Sequence, residues 1–145
     1  MKALLQRVSQ ASVTVEGELI SSIGKGLLVF LGIHHDDTEK QTDWLATKII
    51  DLRIFEDEQG KMNLSLKDVS GEILLVSQFT LYANCERGRR PDFIQSAAPD
   101  FANEMYLMFA KKLESLGIKP KLGVFGGDMK VSLLNDGPVT IMLER

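Results

Sequence analysis

The segment Glu72–Leu81 carries apolar side chains on both of its alternating faces, with Ile73, Leu75 and Phe79 on one and Leu74 and Val76 on the other. A strand with one face in water shows apolar residues on one side only, whereas a strand covered from both sides shows this pattern. The segment is therefore predicted to lie centrally in a sheet, and the rest of the chain must supply its neighbours and its covers. Its end is polar, at Ser77, Gln78 and Thr80. Small polar groups at the end of a strand too apolar to be solvated suggest a site.

The neighbours are legible in the flanking sequence. From Ala3 to Ile33, short segments rich in Val, Ile, Leu, Ser and Thr are broken at Glu16-Gly17 and Gly24-Lys25-Gly26, which predicts a strand meander with tight turns. Alternation is clean in Ala11-Ser12-Val13-Thr14-Val15, so one face there is buried. Thr38 and Gln41 have the spacing of a capping box, and Trp44, Leu45, Ile49 and Leu52 follow at helical intervals, predicting a helix from about Glu39 to Asp51. Arg53-Ile54-Phe55 reads as a short strand entering a solvated turn, and Met62–Asp68 as irregular. Pro99 opens a second helix whose Phe101, Met105, Met108, Phe109 and Leu113 cover a sheet face before Gly117 ends it. Strands are expected near Lys119–Val124, Met129–Leu134 and Val139–Leu143, the last two joined through Asp136-Gly137-Pro138. The order strands, helix, strands, helix, strands lacks the alternation of a doubly wound sheet. It predicts a single α+β domain over residues 1–145, with a curved mixed or antiparallel sheet or partial barrel and two helices.

Composition narrows the function classes. With 145 residues, 44% of them hydrophobic, the chain suffices for one domain with its own core. The longest apolar run, Leu27–Leu31 with flanking glycines and Ile33, falls far short of the ~20 residues of a bilayer span. Met1–Arg7 lacks the pattern of a signal peptide and reads as the first strand, so a cytoplasmic location is expected. The single cysteine, Cys85, agrees with a reducing compartment. A net charge of −3 and a pI near 5.4 argue against indiscriminate nucleic-acid binding, although a local basic patch can hold one end of an RNA. Arg87, Gly88, Arg89 and Arg90 form the only dense basic segment, suited to phosphate by the paired donors of each guanidinium or else simply a solvated loop.

Phosphate-loop, dinucleotide and zinc-protease signatures are absent, and no cofactor is expected. His34-His35-Asp36-Asp37 has metal-ligating side chains, but neighbours along an extended chain diverge, so a solvated turn is the expectation and no metal is assigned. Cys85 stands among arginines that would stabilise a thiolate, yet no base is near in sequence. The same shortage of bases limits Ser77 and Thr80 as nucleophiles. Together with Gln78 and main-chain N–H groups at a strand end, they are instead candidates for an oxyanion hole, or else strand residues satisfied by neighbouring backbone. Gly137-Pro138 interrupts a strand run, where proline marks a turn, edge or bulge; the dipeptide alone leaves cis and trans open.

Two motifs, Ser77-Gln78-Phe79-Thr80-Leu81 and Asn135-Asp136-Gly137-Pro138-Val139-Thr140, together with Gln6-Arg7-Val8, Ala11-Ser12-Val13, Lys61-Met62-Asn63-Leu64 and Glu86-Arg87-Gly88, resemble those of the bacterial-type D-aminoacyl-tRNA deacylases. The resemblance extends over essentially the whole chain. It implies an esterase that frees tRNA of D-amino acids, and of glycine mischarged on tRNA(Ala), working as a homodimer with active sites at the subunit interface. By the same resemblance, Ser77, Gln78, Phe79 and Thr80 line the pocket around the ester and the terminal adenosine, with main-chain donors near Phe79 and Thr80. Phe125, Met129, Val139 and Thr140 contact the adenosine end, and Gly137 and Pro138 form a Gly–cis-Pro element that reaches the partner's pocket and rejects L-aminoacyl groups. Two mechanisms follow from it: attack by Thr80, or attack by water assisted by the ribose 2′-hydroxyl. Competing readings are a non-catalytic dimeric module for an RNA end or a peptide, and a threonine-dependent hydrolase of small esters or amides.

Overall fold

The first three strands are β1 (Lys2–Val15), β2 (Glu18–Ile23) and β3 (Gly26–Gly32), turning at the predicted breaks. They are followed by α1 (Glu39–Asp51), the short pair β4 (Phe55–Glu56) and β5 (Met62–Leu64), β6 (Glu72–Ser77), a 3-10 turn at Phe79–Tyr82, α2 (Pro99–Ser115), β7 (Lys121–Leu122) and β8 (Met129–Glu144). The computed structural model describes residues 1–86 and 88–145; Arg87 of the basic loop lies outside the described residues.

The main sheet runs β2-β1-β3-β6-β7, with β8 on the other edge of β1. β1 pairs antiparallel with β2, β3 and β8, while β3, β6 and β7 are mutually parallel, so the sheet is mixed as expected. It curves until β7 meets β2: the Ser21 hydroxyl donates to the Leu122 carbonyl at 2.9 Å and the Lys121 ammonium to the Ser22 carbonyl at 2.7 Å. Glu72 ties the same seam, accepting from Gly24 N–H and pairing with Lys121, each at 2.8 Å.

The two faces of the central strand β6 go to two cores. Ile73 and Leu75 face the helices and pack with Leu45, Ile49, Met105, Tyr106, Phe109 and Leu113. Leu74 and Val76 face the inside of the curve, with Val8, Ala11, Val13, Ile23 and Leu28. β1 serves both: its register against β8 shifts between Val8 and Gln10, an extra residue that brings Val8, Ala11 and Val13 to the same side.

Both helices keep their predicted limits, and the Thr38–Gln41 capping box is formed. Three expectations are corrected. Met62–Asp68 is not wholly irregular, because Met62–Leu64 pairs with β4. The central strand stops at Ser77 rather than Leu81: Gln78 N–H still reaches the Leu31 carbonyl at 2.8 Å, after which the chain tightens into the 3-10 turn and Phe79 leaves the strand face, 56% exposed. Met129–Leu134 and Val139–Leu143 are not two strands joined by a turn. Both halves run antiparallel to β1 within one long strand, so Asp136-Gly137-Pro138 is a bulge inside β8.

Candidate active site

The parallel strands β3 and β6 end together, and their ends open into a cleft of about 640 Å³. Leu31, Ile33 and Val76 form its apolar base, and Ser77 and Gln78 lie at its polar edge. The N-terminus of α2, through Ala97, Pro99 and Ala102, makes one wall, and Phe125–Met129 makes another. Phe79 and Phe93 meet edge to face across it, ring centroids 4.9 Å apart.

The change from strand to 3-10 turn matters chemically. Its first bond runs from the Leu81 N–H to the Gln78 carbonyl, so the N–H groups of Phe79 and Thr80 stand ahead of the turn's own acceptors. Main-chain donors thus adjoin Ser77 and Gln78 at the rim. The Thr80 hydroxyl accepts from the Gln78 amide, and both its position outside the cleft lining and its exposure set it apart from Ser77. Among the described residues, Asp128 is the one titratable side chain on the lining, and it is paired with Lys130 at 2.8 Å. No lining side chain other than Asp128 can take up a proton as a base, and the arrangement suits polarisation of a carbonyl by fixed donors.

The far wall is held from behind. Buried Tyr106 donates from its hydroxyl to the Leu75 carbonyl at 2.7 Å, and its ring lies 5.9 Å from that of Phe125. Burial pushes the Tyr106 phenol well above its usual range, so it keeps its proton. Met129 accepts the Val124 N–H on its sulfur at 3.3 Å, and a Cβ at Gly123 would stand only 2.7 Å from that sulfur.

Gly137 and Pro138 are elsewhere. Between the pairs Gln6↔Thr140 and Val8↔Asn135, residues Asp136–Val139 leave the ladder opposite Arg7, and the Gly137–Pro138 bond is cis. Arg7, 4% exposed, donates from Nε to the Asp136 carbonyl at 2.9 Å and from Nη1 to the Ile54 carbonyl at 2.7 Å. Asn135 accepts the Val139 N–H at 2.9 Å and donates to the Thr140 hydroxyl at 2.8 Å. Gly137 has φ +130°, and a Cβ there would lie 2.7 Å from Arg7 Nη2 and 2.9 Å from Val139 Cγ2. Gly137 and Pro138 are exposed.

The expected site residues thus divide. Ser77, Gln78, Phe79, Phe125 and Met129 line one cleft, whereas Gly137, Pro138, Val139 and Thr140 do not touch it and shape the bulge on β8. Sequence reasoning did not single out Phe93, Ser96 or the start of α2 for the cleft, nor Arg7 as the brace of the bulge. A buried arginine in a strand leaves one signal, a charged residue at an inward position between Leu5 and Val8, and its partners are far off in the chain. The basic loop is pinned at its base by paired Asn84 and Asp92, with Gly88, Arg89 and Arg90 exposed. Cys85 is a free, exposed thiol outside the cleft.

A family model described as D-Tyr-tRNA(Tyr) deacylase matches residues 4–144. A protein of Geotalea daltonii named D-aminoacyl-tRNA deacylase is 56% identical over 144 residues, covering 99% of this chain and 96% of its own length. One of Fusobacterium nucleatum with the same name is 54% identical, covering 99% and 95%. Among solved structures, a c-Myc DNA unwinding element binding protein superposes with a TM-score of 0.95 at 47% identity, covering 100% of this chain and 99% of that one. A probable eukaryotic D-amino acid tRNA deacylase superposes with a TM-score of 0.84 at 19% identity over 98% and 97%, a likeness of fold.

Proposed function

The chain belongs to the D-Tyr-tRNA(Tyr) deacylase family and is an ester hydrolase acting on D-aminoacyl-tRNA, and from that premise we propose how its two separated regions divide the reaction. The carrying observation is the cleft at the ends of β3 and β6, where main-chain N–H groups adjoin Ser77 and Gln78 over an apolar base. The aminoacyl ester lies there with its carbonyl oxygen towards the Phe79 and Thr80 N–H groups. Water attacks the carbonyl carbon, the negative charge that develops on oxygen is met by those donors, and the bond to the ribose O3′ breaks. O3′ leaves with a proton, and a free D-amino acid and tRNA remain. An aminoacyl ester is already activated, so positioning and oxyanion stabilisation suffice without a side-chain triad.

The substrate's own ribose 2′-hydroxyl assists the water, taking its proton while passing its own proton to the departing O3′. The absence of a histidine from the described lining and the engagement of Thr80 by Gln78 both favour this over attack by Thr80. Phe125 and Met129 receive the terminal adenine, and Arg89 and Arg90 with their loop hold acceptor-end phosphates.

Chirality is read by the bulge, in trans. Gly137 and Pro138 are exposed and braced from beneath by Arg7, a projection fitted to another molecule's cleft and not to its own. In a homodimer each cleft is completed by the partner's Gly137-Pro138 carbonyls, which occupy the space of an L side chain and leave D-aminoacyl groups and glycine free to enter. Backbone atoms read handedness without reading side-chain identity. Val139 and Thr140 hold the projection in register. Among the described residues no helix is long and apolar enough to cross a membrane, and the enzyme works in the cytoplasm, beside the charged tRNA it edits.

The test is deacylation of one tRNA charged with D-tyrosine and, separately, with L-tyrosine. Rapid loss of the D-ester and stability of the L-ester are expected, with esters of other D-amino acids and glycyl-tRNA(Ala) cleaved as well. Equal cleavage of both tyrosyl esters ends the division into cleft and filter, and stability of both returns the protein to an RNA-end binding role.

A further inference from the structure

Between β3 and α1 the chain reads His34-His35-Asp36-Asp37, and here neighbouring side chains do not diverge. The segment turns back on itself: Asp37 N–H donates to the His34 carbonyl at 3.1 Å, and the Asp37 carboxylate accepts the His34 N–H at 2.7 Å and the Met1 ammonium at 2.5 Å. A neighbouring segment holds it from outside, with His34 bridged to Ser96 and His35 N–H on the Gln95 carbonyl at 3.4 Å. The turn brings the two imidazole rings to 4.0 Å between centroids, and ligand atoms of His34, His35 and Asp36 all lie within 4.8 Å of one another.

Two of the three separations bracket the spacing of a coordination polyhedron. His34 Nδ1 stands 3.8 Å from Asp36 Oδ2, and His35 Nδ1 stands 2.9 Å from Asp36 Oδ1. A tetrahedral ion bonded at about 2.0–2.1 Å holds its ligand atoms about 3.3 Å apart, between these two values. We propose that His34, His35 and Asp36 bind one divalent first-row metal ion, Zn²⁺ or Cu²⁺, with water completing its shell.

The donor set decides the metal class. Two imidazoles and one carboxylate suit the nitrogen-preferring end of the first row, whereas Mg²⁺ and Ca²⁺ take oxygen donors throughout. Asp37 is spent on Met1 and His34 and stays outside the shell. The ion displaces the bond of Asp36 N–H to His34 Nδ1 at 3.1 Å and stands in place of the direct contacts of both imidazoles with the Asp36 carboxylate. None of the three ligands lines the cleft, but the next residues do: Ala97 N–H donates to the Ile33 carbonyl at 3.0 Å, and both residues form the cleft wall. The ion therefore clips the loop behind that wall and takes no part in ester chemistry.

The test uses the full chain without a histidine tag, stripped with chelator and titrated calorimetrically with Zn²⁺ alone in a non-coordinating buffer. One Zn²⁺ per chain is expected, with a rise in thermal midpoint, and Mg²⁺ at the same concentration leaves both unchanged. His35→Ala and Asp36→Asn, both at exposed positions, each weaken Zn²⁺ binding about tenfold or more while the metal-free unfolding midpoint stays put. With Cu²⁺, the electron paramagnetic spectrum shows coupling to two ring nitrogens, reduced to one in His35→Ala. Absence of saturable Zn²⁺ binding overturns the proposal, and so does binding by His35→Ala with unchanged affinity.

Discussion

The end of β6 and the bulge of β8 place their polar groups in opposite ways. At the end of β6, a strand buried on both faces stops at Ser77, and its polar groups turn inward over an apolar cleft. In β8, a strand with one outer edge and several exposed apolar residues, among them Leu134 and Met142, Asp136–Pro138 are turned outward while Val139 returns to the core. The first region is concave; the second is convex and rests on a buried guanidinium. The proposed chemical site and the proposed steric filter thus lie on the same sheet in separate regions, so each can be altered while the other is read out.

The largest effect is expected at Arg7. Arg7→Ala leaves the buried Ile54 carbonyl without its donor, frees the half-buried Asp136 carbonyl and costs about 3 kcal/mol, read from denaturant unfolding. In the protein that remains folded, the L-tyrosyl ester becomes a substrate. Unchanged stability and unchanged preference together would break the link between brace and filter.

Next comes Gly137→Ala, which puts a Cβ against Arg7 and Val139 at a φ of +130° and costs about 1–3 kcal/mol in backbone strain and displacement. The D/L ratio should fall while cleavage of the D-ester persists. By contrast Ser77→Ala lowers the rate on the D-ester and keeps the ratio, which sharpens the contrast from the other side.

If Phe125 receives the terminal base as proposed, Phe125→Ala raises KM about tenfold with less change in kcat. A smaller change is expected from Thr80→Ala, whose kcat stays within about tenfold of the parent, whereas loss of a true nucleophile would cost about 10⁴-fold or more. Complete inactivity with intact fold and tRNA binding would assign Thr80 the attack.

The smallest effect lies at the seam. The Lys121 ammonium, and after it the Gly24 N–H, hold the Glu72 carboxyl below the usual carboxylate range. A lowered carboxyl contributes stability at neutral pH, and that contribution is lost as pH falls from the ordinary carboxylate range through the depressed value. Because the pair is solvated, Glu72→Gln should cost about 0.5 kcal/mol at pH 7 and nothing at strongly acid pH, measured as the unfolding free energy against pH.

Local pattern carried a good deal of this molecule. The double apolar register of Ile73–Val76 marked the central strand because burial on both faces leaves no other arrangement for alternating side chains. Thr38 and Gln41 marked a helix start because a capping box is closed by residues three apart. That Ser77 and Gln78 border a cleft follows from a pattern the sequence displays, since polarity at the end of such a strand stands out. Phe79 was assigned to the strand by parity alone, and its departure follows from the tightening after Gln78, which no residue in Ser77–Leu81 announces.

The amino-acid order by itself determined the main strands and both helices with their limits, the one-domain α+β character and the two motifs, since each depends on side chains within a few positions of one another. Tertiary structure alone decided that Met129–Leu134 and Val139–Leu143 share β1 as one bulged strand, because strand pairing is a contact with residues more than a hundred positions away. It also decided that Arg7 meets Ile54 and Asp136, and that His34, His35 and Asp36 converge. Local preferences leave such long-range contacts undetermined; they form only when the packed sheet brings distant backbone carbonyls and side chains within hydrogen-bonding distance.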